Sequence, residues 1–462
     1  MATFEVAWGY VGGHDWTASA TRFGSLGGAG NQFSQDTENR AQVMMRSSYT
    51  LANMYVRVTA NTTVADSTLR SRIGAVDGAL VVTVGGGLTG AFQDTVNSDS
   101  LVDGNLVNFS VVTPANVLTT SLVGFTMVNA SGDDTVLVSN SFLGAGLGQN
   151  AGLTRYRAIG GTISTTGTES DQQYTVRSTA TLSNLRAFVV SNSLSVTTTM
   201  RTRKNLGNGA QSVSILTLET GSFEDTVNTD SVAAGDEINY QIVTPAGAGT
   251  IATHLFQVKS AGTGRPTVHG FTAGLATNFA DRFVLAEGGG TDLTAGPGTE
   301  AASQIAARST FTASNLFVNV ILHGVTGGVG FFLRLDGVNT ALTLNVPDST
   351  TGLFEDTTNT VNLISGNLYN HFVDHGGGVG DIEFPIIGFQ NGPTAGLVPL
   401  IAGGYLPNIF DFFPEEPPVD FGPQGELYYW AFLLERPGAG EPIPTQPTTP
   451  TIGGRLREPT RR

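Results

Sequence analysis

The chain contains no cysteine. Disulfides, zinc–thiolate centres and cysteine nucleophiles are therefore excluded. Charge is scarce too: Asp, Glu, Lys and Arg make up 13% of 462 residues, about half the usual share. Acids outnumber bases by 38 to 23, for a formal net charge of −15. A broad nucleic-acid surface needs clustered Lys and Arg to displace counterions, so nucleic acid is not an expected partner. Helix-favouring runs of Glu, Lys and Ala are missing, and no stretch approaches the roughly 18 apolar residues of a membrane-spanning helix. Membrane insertion is not expected. The first ten residues carry Glu5 and lack a basic start followed by an apolar core, so no secretory signal is read there.

What the chain does have is 60 Gly, 19 Pro and 40% hydrophobic residues, on a background rich in Thr, Val, Ser and Asn. The apolar content suffices for packed cores, and the length corresponds to about three domains. The glycines follow no G-X-Y period, which excludes collagen. Thr and Val favour strands over helices, so the composition predicts an all-β protein.

Internal periodicity is the decisive signal. Residues 89–105 read TGAFQDTVNSDSLVDGN, residues 220–236 read TGSFEDTVNTDSVAAGD and residues 351–367 read TGLFEDTTNTVNLISGN, each 131 residues from the last. A second block keeps the same offset: Glu38, Gln42, Arg46, Ser47, Thr50 and Asn53 recur from Glu169 to Asn184 and from Glu300 to Asn315. Arg72, Arg203 and Arg334 obey it as well. One domain is present three times in tandem.

Within a copy the apolar residues alternate, as in Val43 and Met45 or Met54, Val56 and Val58, which predicts strands with one buried face. Asp77-Gly78 and Asn208-Gly209, with Asn339-Thr340 in the third copy, read as two-residue hairpin turns. Gly104, Gly235 and Gly366 mark another turn. About eight short strands per copy fit a jelly-roll sandwich. Aromatic, strand-like stretches at 3–13, 154–161, 281–289 and 426–435 bracket the copies like fence posts. The expected layout is three tandem jelly-roll β-sandwiches over 1–153, 154–280 and 281–436, arranged side by side with pseudo-threefold symmetry. An extended, Pro-rich arm follows over 437–462, ending in Arg455, Arg457, Arg461 and Arg462. The arm reads as an assembly device that docks on an acidic surface of a neighbouring subunit.

Two recurring residue sets are candidate sites. Asp94, Asp225 and Asp356 follow Phe92, Phe223 and Phe354, and with nearby acids they invite a calcium reading. The third copy has Val361 where the others have Asp99 and Asp230, which favours a structural role: Asp caps a turn while Phe plugs the core. Arg46, Arg177 and Arg308 share a polar strand face with Gln42, Gln173 and Gln304. They could contact a glycan, but their presence in every copy favours ion pairs within or between domains, with Glu38, Glu169 and Glu300 or the block aspartates as partners.

His371 and His375 resemble a metal pair but lack a third ligand by spacing. No metal or cofactor is expected. No Gly-x-Ser-x-Gly elbow or phosphate-binding loop occurs, and nothing singles out a glycosidase carboxylate pair. Trp8, Trp16 and Trp430 suit core or interface anchoring better than a sugar platform.

The run Leu333-Arg334-Leu335-Asp336-Gly337-Val338, continuing through Gly352 to Thr357 and closing on Ser365-Gly366-Asn367, resembles the complement-C1q and tumour-necrosis-factor-like jelly rolls of phage virion appendages and bacterial surface proteins. The resemblance covers each copy in turn. Members of that family assemble as trimers, so it implies a trimer fused into one polypeptide. The motif is structural, and the collagen-like and receptor-binding parts of the family are missing.

The function expected from these readings is that of a virion structural protein of a phage or similar virus, such as a capsid decoration, head-spike or fibre component. It would act by assembly and not as an enzyme. Its partners would be other virion subunits and itself, within a particle assembled in the host cytoplasm. A glycan-binding adhesin used in host attachment is the alternative, and a polysaccharide-degrading enzyme the third reading.

Overall fold

A computed structural model describes residues 2–17, 21–26, 28–29, 37–129, 135–140, 147–159, 167–262, 281–284, 286, 300–307, 310–384 and 386–392. The arm at 437–462, with Arg455, Arg457, Arg461 and Arg462, lies outside these residues, as do Arg308, Trp430 and the stretch at 426–435.

In the first copy the predicted alternation resolves into two antiparallel sheets. One runs Ala2–Trp16, Leu118–Asn129, Tyr49–Asn61, Gly90–Leu101, with Gly28–Ala29 added beside Ala2–Trp16. The other runs Thr21–Ser25, Leu106–Val112, Ser67–Ile73, Val76–Val84. With the eight main strands counted along the chain, the orders are one-eight-three-six and two-seven-four-five. First and last strands lie side by side, as in a jelly roll. The second copy repeats both orders, from Thr135–Asn140 with Leu147–Asn150 to Gly221–Val232 and from Thr154–Arg157 to Gly207–Ile215. In the third, Ile386–Gly392, Phe311–Val320 and Gly352–Leu363 form one sheet, and Arg282–Val284, Leu368–Asp374, Val329–Leu335 and Val338–Val346 the other.

The pairing moves the expected boundary at residue 153. Thr135–Asn140 and Leu147–Asn150 bond to Thr250–Ala261, so they open the second copy, and the last strand of the first copy ends at Asn129. The fence-post alignment is corrected for the same reason. Residues 3–13 belong to a first strand, whereas Thr154–Arg157 and Arg282–Val284 are second strands whose true counterpart is Thr21–Ser25. Arg22-Phe23, Arg155-Tyr156 and Arg282-Phe283 face equivalent residues, Val111, Ile242 and Val373 opposite the arginines. Two aromatic-bearing strands look alike in sequence, and only hydrogen-bond pairing assigns them to opposite sheets.

The hairpin turns also fall earlier than expected. They are Gly74-Ala75, Asn205-Leu206 and Asp336-Gly337, whose two central residues all have positive φ, from 48° to 83°, as a two-residue hairpin of type I′ requires. Asp77-Gly78 and Asn208-Gly209 lie inside the following strands. Asn53, Asn184 and Asn315 recur because each takes a left-handed conformation (φ 51°, 58° and 55°) at a bulge, which Asn tolerates better than most residues. Val43, Met45, Met54, Val56 and Val58 and their counterparts fill a separate core in each copy.

Candidate functional site: the seams between the copies

Inside each copy one arginine gathers a fixed set of groups. Arg72 pairs bidentately with Glu38, Nε to Oε1 at 2.8 Å and Nη2 to Oε2 at 2.9 Å. Arg203 pairs with Glu169 at 2.8 Å in both contacts, and Arg334 with Glu300 at 2.6 and 3.1 Å. Each guanidinium also donates to the hairpin turn, to the side chain of Asp77, Asn208 or Asn339 and to the carbonyl of Ala75, Leu206 or Gly337. It lies over the ring of Phe23, Tyr156 or Phe283 at 5.7, 5.8 and 5.4 Å. Such planar, two-pronged contacts suit Arg and not Lys. Bonding to Glu38 and Glu169 raises the pKa of Arg72 and Arg203, so both stay charged. Glu38 and Glu169 are thus taken by these arginines and not by Arg46 and Arg177, and Glu300 is taken by Arg334. The constant spacing of 34 residues between Glu and Arg was the available signal.

The block aspartates tie the two sheets together. Asp94 accepts the N–H groups of Val96 and Asn97 on its own bulged strand and that of Val81 on the facing sheet's edge strand. Asp225 takes the same bonds from Val227, Asn228 and Ser212, and Asp356 from Thr358, Asn359 and Thr343. Burial pushes these carboxyls up, but the converging N–H donors outweigh it and hold Asp94 and Asp356 at about 2. Phe92, Phe223 and Phe354 pack beside them against the three cores.

The place of Val361 has its own logic. Asp99 accepts from Ser71 Oγ and the Ala79 N–H, and Asp230 from Thr202 Oγ1 and the Ala210 N–H. A Cβ at Gly78 or Gly209 would collide with these groups. The third copy changes all three positions together: Leu333 replaces the hydroxyl, Val361 the carboxylate and Thr340 the glycine. Thr340 then bonds to the Leu333 carbonyl at 2.7 Å.

Arg46 and Arg177 point out of their own copies. Arg46 forms an ion pair with Glu224 of the second copy, and Arg177 with Glu355 of the third. Both acids directly precede a block aspartate, where the first copy has Gln93. A second equivalent position, Tyr55, Arg186 and Phe317, also reaches across. Arg186 donates to the Gln42 carbonyl of the first copy at 3.5 Å and to Gln257 Oε1 at 2.9 Å, while Gln257 itself bonds both N–H and C=O of Met44. Phe317 packs into the core of the second copy, 6.2 Å from Tyr174 and beneath Arg177 at 4.3 Å. Tyr55 and Leu122 of the first copy pack into the core of the third, and Leu255 of the second into that of the first.

The second copy thus leans on the first, the third on the second and the first on the third. The contacts run from copy to copy in a ring, and each seam has its own chemistry. The first combines the Arg46–Glu224 ion pair and the amide contacts of Gln257 with the apolar Leu255, the second is aromatic and charged, and the third holds Tyr55 and Leu122 in an apolar cluster. Burial lowers Arg177 and brings Arg186, which also faces the charge of Arg46, to about 10.

His371 is fully buried, opposite Val284, where the other copies place Phe109 over Gly24 and Tyr240 over Arg157. Burial alone brings its pKa to about 3. Among the described residues no group of three or more His, Asp or Glu is arranged to hold a metal ion. Trp16 is buried in the first core, its Nε1 donating to Thr120 Oγ1 at 2.7 Å.

No protein-family model matches the chain, and no curated protein matches it. Among solved structures it is weakly similar to one described as "The Triple Jelly Roll Fold and Turret Assembly in an Archaeal Virus". The two share 11% sequence identity over 86% of this chain and 92% of that one, with a TM-score of 0.16. No helix among the described residues is long and apolar enough to cross a membrane.

Proposed function

We propose that the chain is a virion structural protein of a phage or similar virus, a capsid decoration, head-spike or fibre component, and that it works by assembly and not by catalysis. The observation that carries this reading is the closed ring. Three jelly rolls insert Tyr55, Arg186 and Phe317 into one another and so form the single-chain equivalent of a trimer. That is the oligomer built by the C1q and tumour-necrosis-factor-like jelly rolls, whose resemblance to each copy supports the same reading. The recurring charged residues serve turns, sheet edges and seams, which fits a part selected for shape. On this reading the protein acts in the extracellular particle after assembly in the host cytoplasm. Its partners are other virion subunits and further copies of itself, and the arm at 437–462 fastens it through Arg455, Arg457, Arg461 and Arg462.

The test is copurification. The full chain should sediment with particles, and deletion of 437–462 should release it. A full-length chain found only free of particles would overturn the reading.

A glycan-binding role is the second reading. An open groove of about 380 Å³ in the third copy is lined by Thr343, Asn345, Thr358 and Asn359 beside Phe354 and the carboxylates of Glu355 and Asp356, and its hydroxyls, amides and aromatic ring could contact a sugar. A glycan array without a binder would set it aside.

A further inference from the structure

The copies differ at one pair of positions in their loop ends. Asn61 of the first copy donates to the carbonyls of Gly85 and Leu88, and its Oδ1 accepts the Thr63 N–H. Asn192 does the same for Leu216, Glu219 and Leu194 in the second. Nearby, Thr113 donates to the Thr17 carbonyl, and Thr244 to those of Asn150 and Leu153. The third copy has His323 and His375 at these places, each 131 residues on. Side chains that do not titrate have been exchanged for two imidazoles in one copy only. Both are buried, 7% and 1% exposed.

The two histidines sit on segments zipped by backbone bonds. The N–H groups of Ile321, Gly324 and Thr326 donate to the carbonyls of Glu383, Asp381 and Val379. A Cβ at Gly378 would strike the Thr326 carbonyl and one at Gly380 the Gly324 carbonyl, so the segments lie as close as backbone allows. Among the described residues neither ring nitrogen of His323 has a hydrogen-bond partner. Among the described residues the charged groups around the pair are Asp281, whose Oδ1 accepts the His375 N–H at 3.3 Å, Asp374, which accepts the Gly376 N–H at 2.8 Å, and Asp381 and Glu383 on the segment opposite His323.

We propose that this ribbon is an acid-sensitive latch confined to the third copy, closed while the buried His375 is neutral and loosened when it takes up a proton. An imidazolium ion at His375, 1% exposed between the zipped segments, would lose its solvation. Burial lowers the pKa of His375, and the backbone of Gly378 and Gly380 and the charge of Asp281, which all favour the charged ring, do not reverse the shift. A histidine lowered in the folded state leaves the closed form fully stable above about pH 6.5 and weakens it as the pH falls. The latch does not depend on the virion reading.

The test is hydrogen exchange by mass spectrometry on the full chain at pH 7.5 and 5.0, corrected for intrinsic rates. Amides in 321–328 and 375–383 should exchange about tenfold faster at pH 5.0. The equivalent loops at 61–66, 113–117, 192–197 and 244–250 serve as internal controls and should not respond. Grafting the second copy's residues, His323→Asn with His375→Thr, should abolish the response. The proposal is overturned if the third copy follows the controls, if its exchange slows in acid, or if the double variant still responds. Should that variant fail to fold, an NMR titration of the native chain decides. Histidine rings that titrate near pH 6.5 without disturbing the ribbon amides would equally overturn it.

Discussion

Arg177 stands on the second jelly roll and Glu355 on the third, and their ion pair crosses the seam with Arg177 lying over Phe317. The arginine side chain is 7% exposed and the glutamate 28%, so the pair is largely withdrawn from solvent and poorly screened. Removing one partner strands the other at a buried interface, which costs more than a surface pair contributes.

Arg177→Ala should therefore lower stability by about 2–3 kcal/mol. Glu355→Gln should cost less, and the double variant should fall short of the sum, because the two residues share one interaction. Chemical denaturation of the four proteins checks both statements. Additive losses would mean that the pair does not couple the copies.

Asp225→Ala removes the acceptor for the Ser212, Val227 and Asn228 N–H groups at once. Donors left unsatisfied cost about 1–3 kcal/mol each when buried, less here because Val227 and its neighbours reach solvent. The expected outcome is a modest loss of global stability with local fraying. Hydrogen exchange should rise at Ser212 and at 227–228 while the first and third copies remain protected.

Gly78→Thr alone should destabilise by about 1–3 kcal/mol through overpacking against Ser71 and Asp99. Adding Ser71→Leu and Asp99→Val transplants the arrangement of Leu333, Val361 and Thr340, and should recover most of the loss. A triple variant no more stable than the single one would show that the three positions are independent.

Acid should act in two windows. His371 is lowered in the fold, so its contribution is complete above about pH 6.5 and declines at about 1.4 kcal/mol per pH unit towards about pH 3. Asp94 and Asp356 are also lowered, so their contribution is complete above about 3.8 and is lost as the pH falls towards about 2. Melting temperature followed against pH should be flat at neutrality and fall in both windows. His371→Leu should shrink the upper decline, leaving the part due to the other buried histidines, and should leave the lower one unchanged.

The repeat, its 131-residue offset and the all-β class were legible in the sequence because they depend on residue type and period. So was the buried face of each strand, since alternation follows from the pleat. The recurrence of Asp94, Asp225 and Asp356 marked them as structural, and a carboxylate followed by small polar residues signals a local turn whatever surrounds it. What period could not decide was pairing. Residues 3–13 and Thr154–Arg157 look alike as strands, yet they lie in opposite sheets, and that misplaced the boundary at 153. Nor could it assign Arg46 to Glu224 or Arg177 to Glu355, because those contacts join different copies and the first copy's equivalent acid is Gln93. Local rules fix what each copy becomes. Which copy touches which is settled only when chain closure brings distant side chains into one low-dielectric seam, where a charge must find a partner or destabilise the fold.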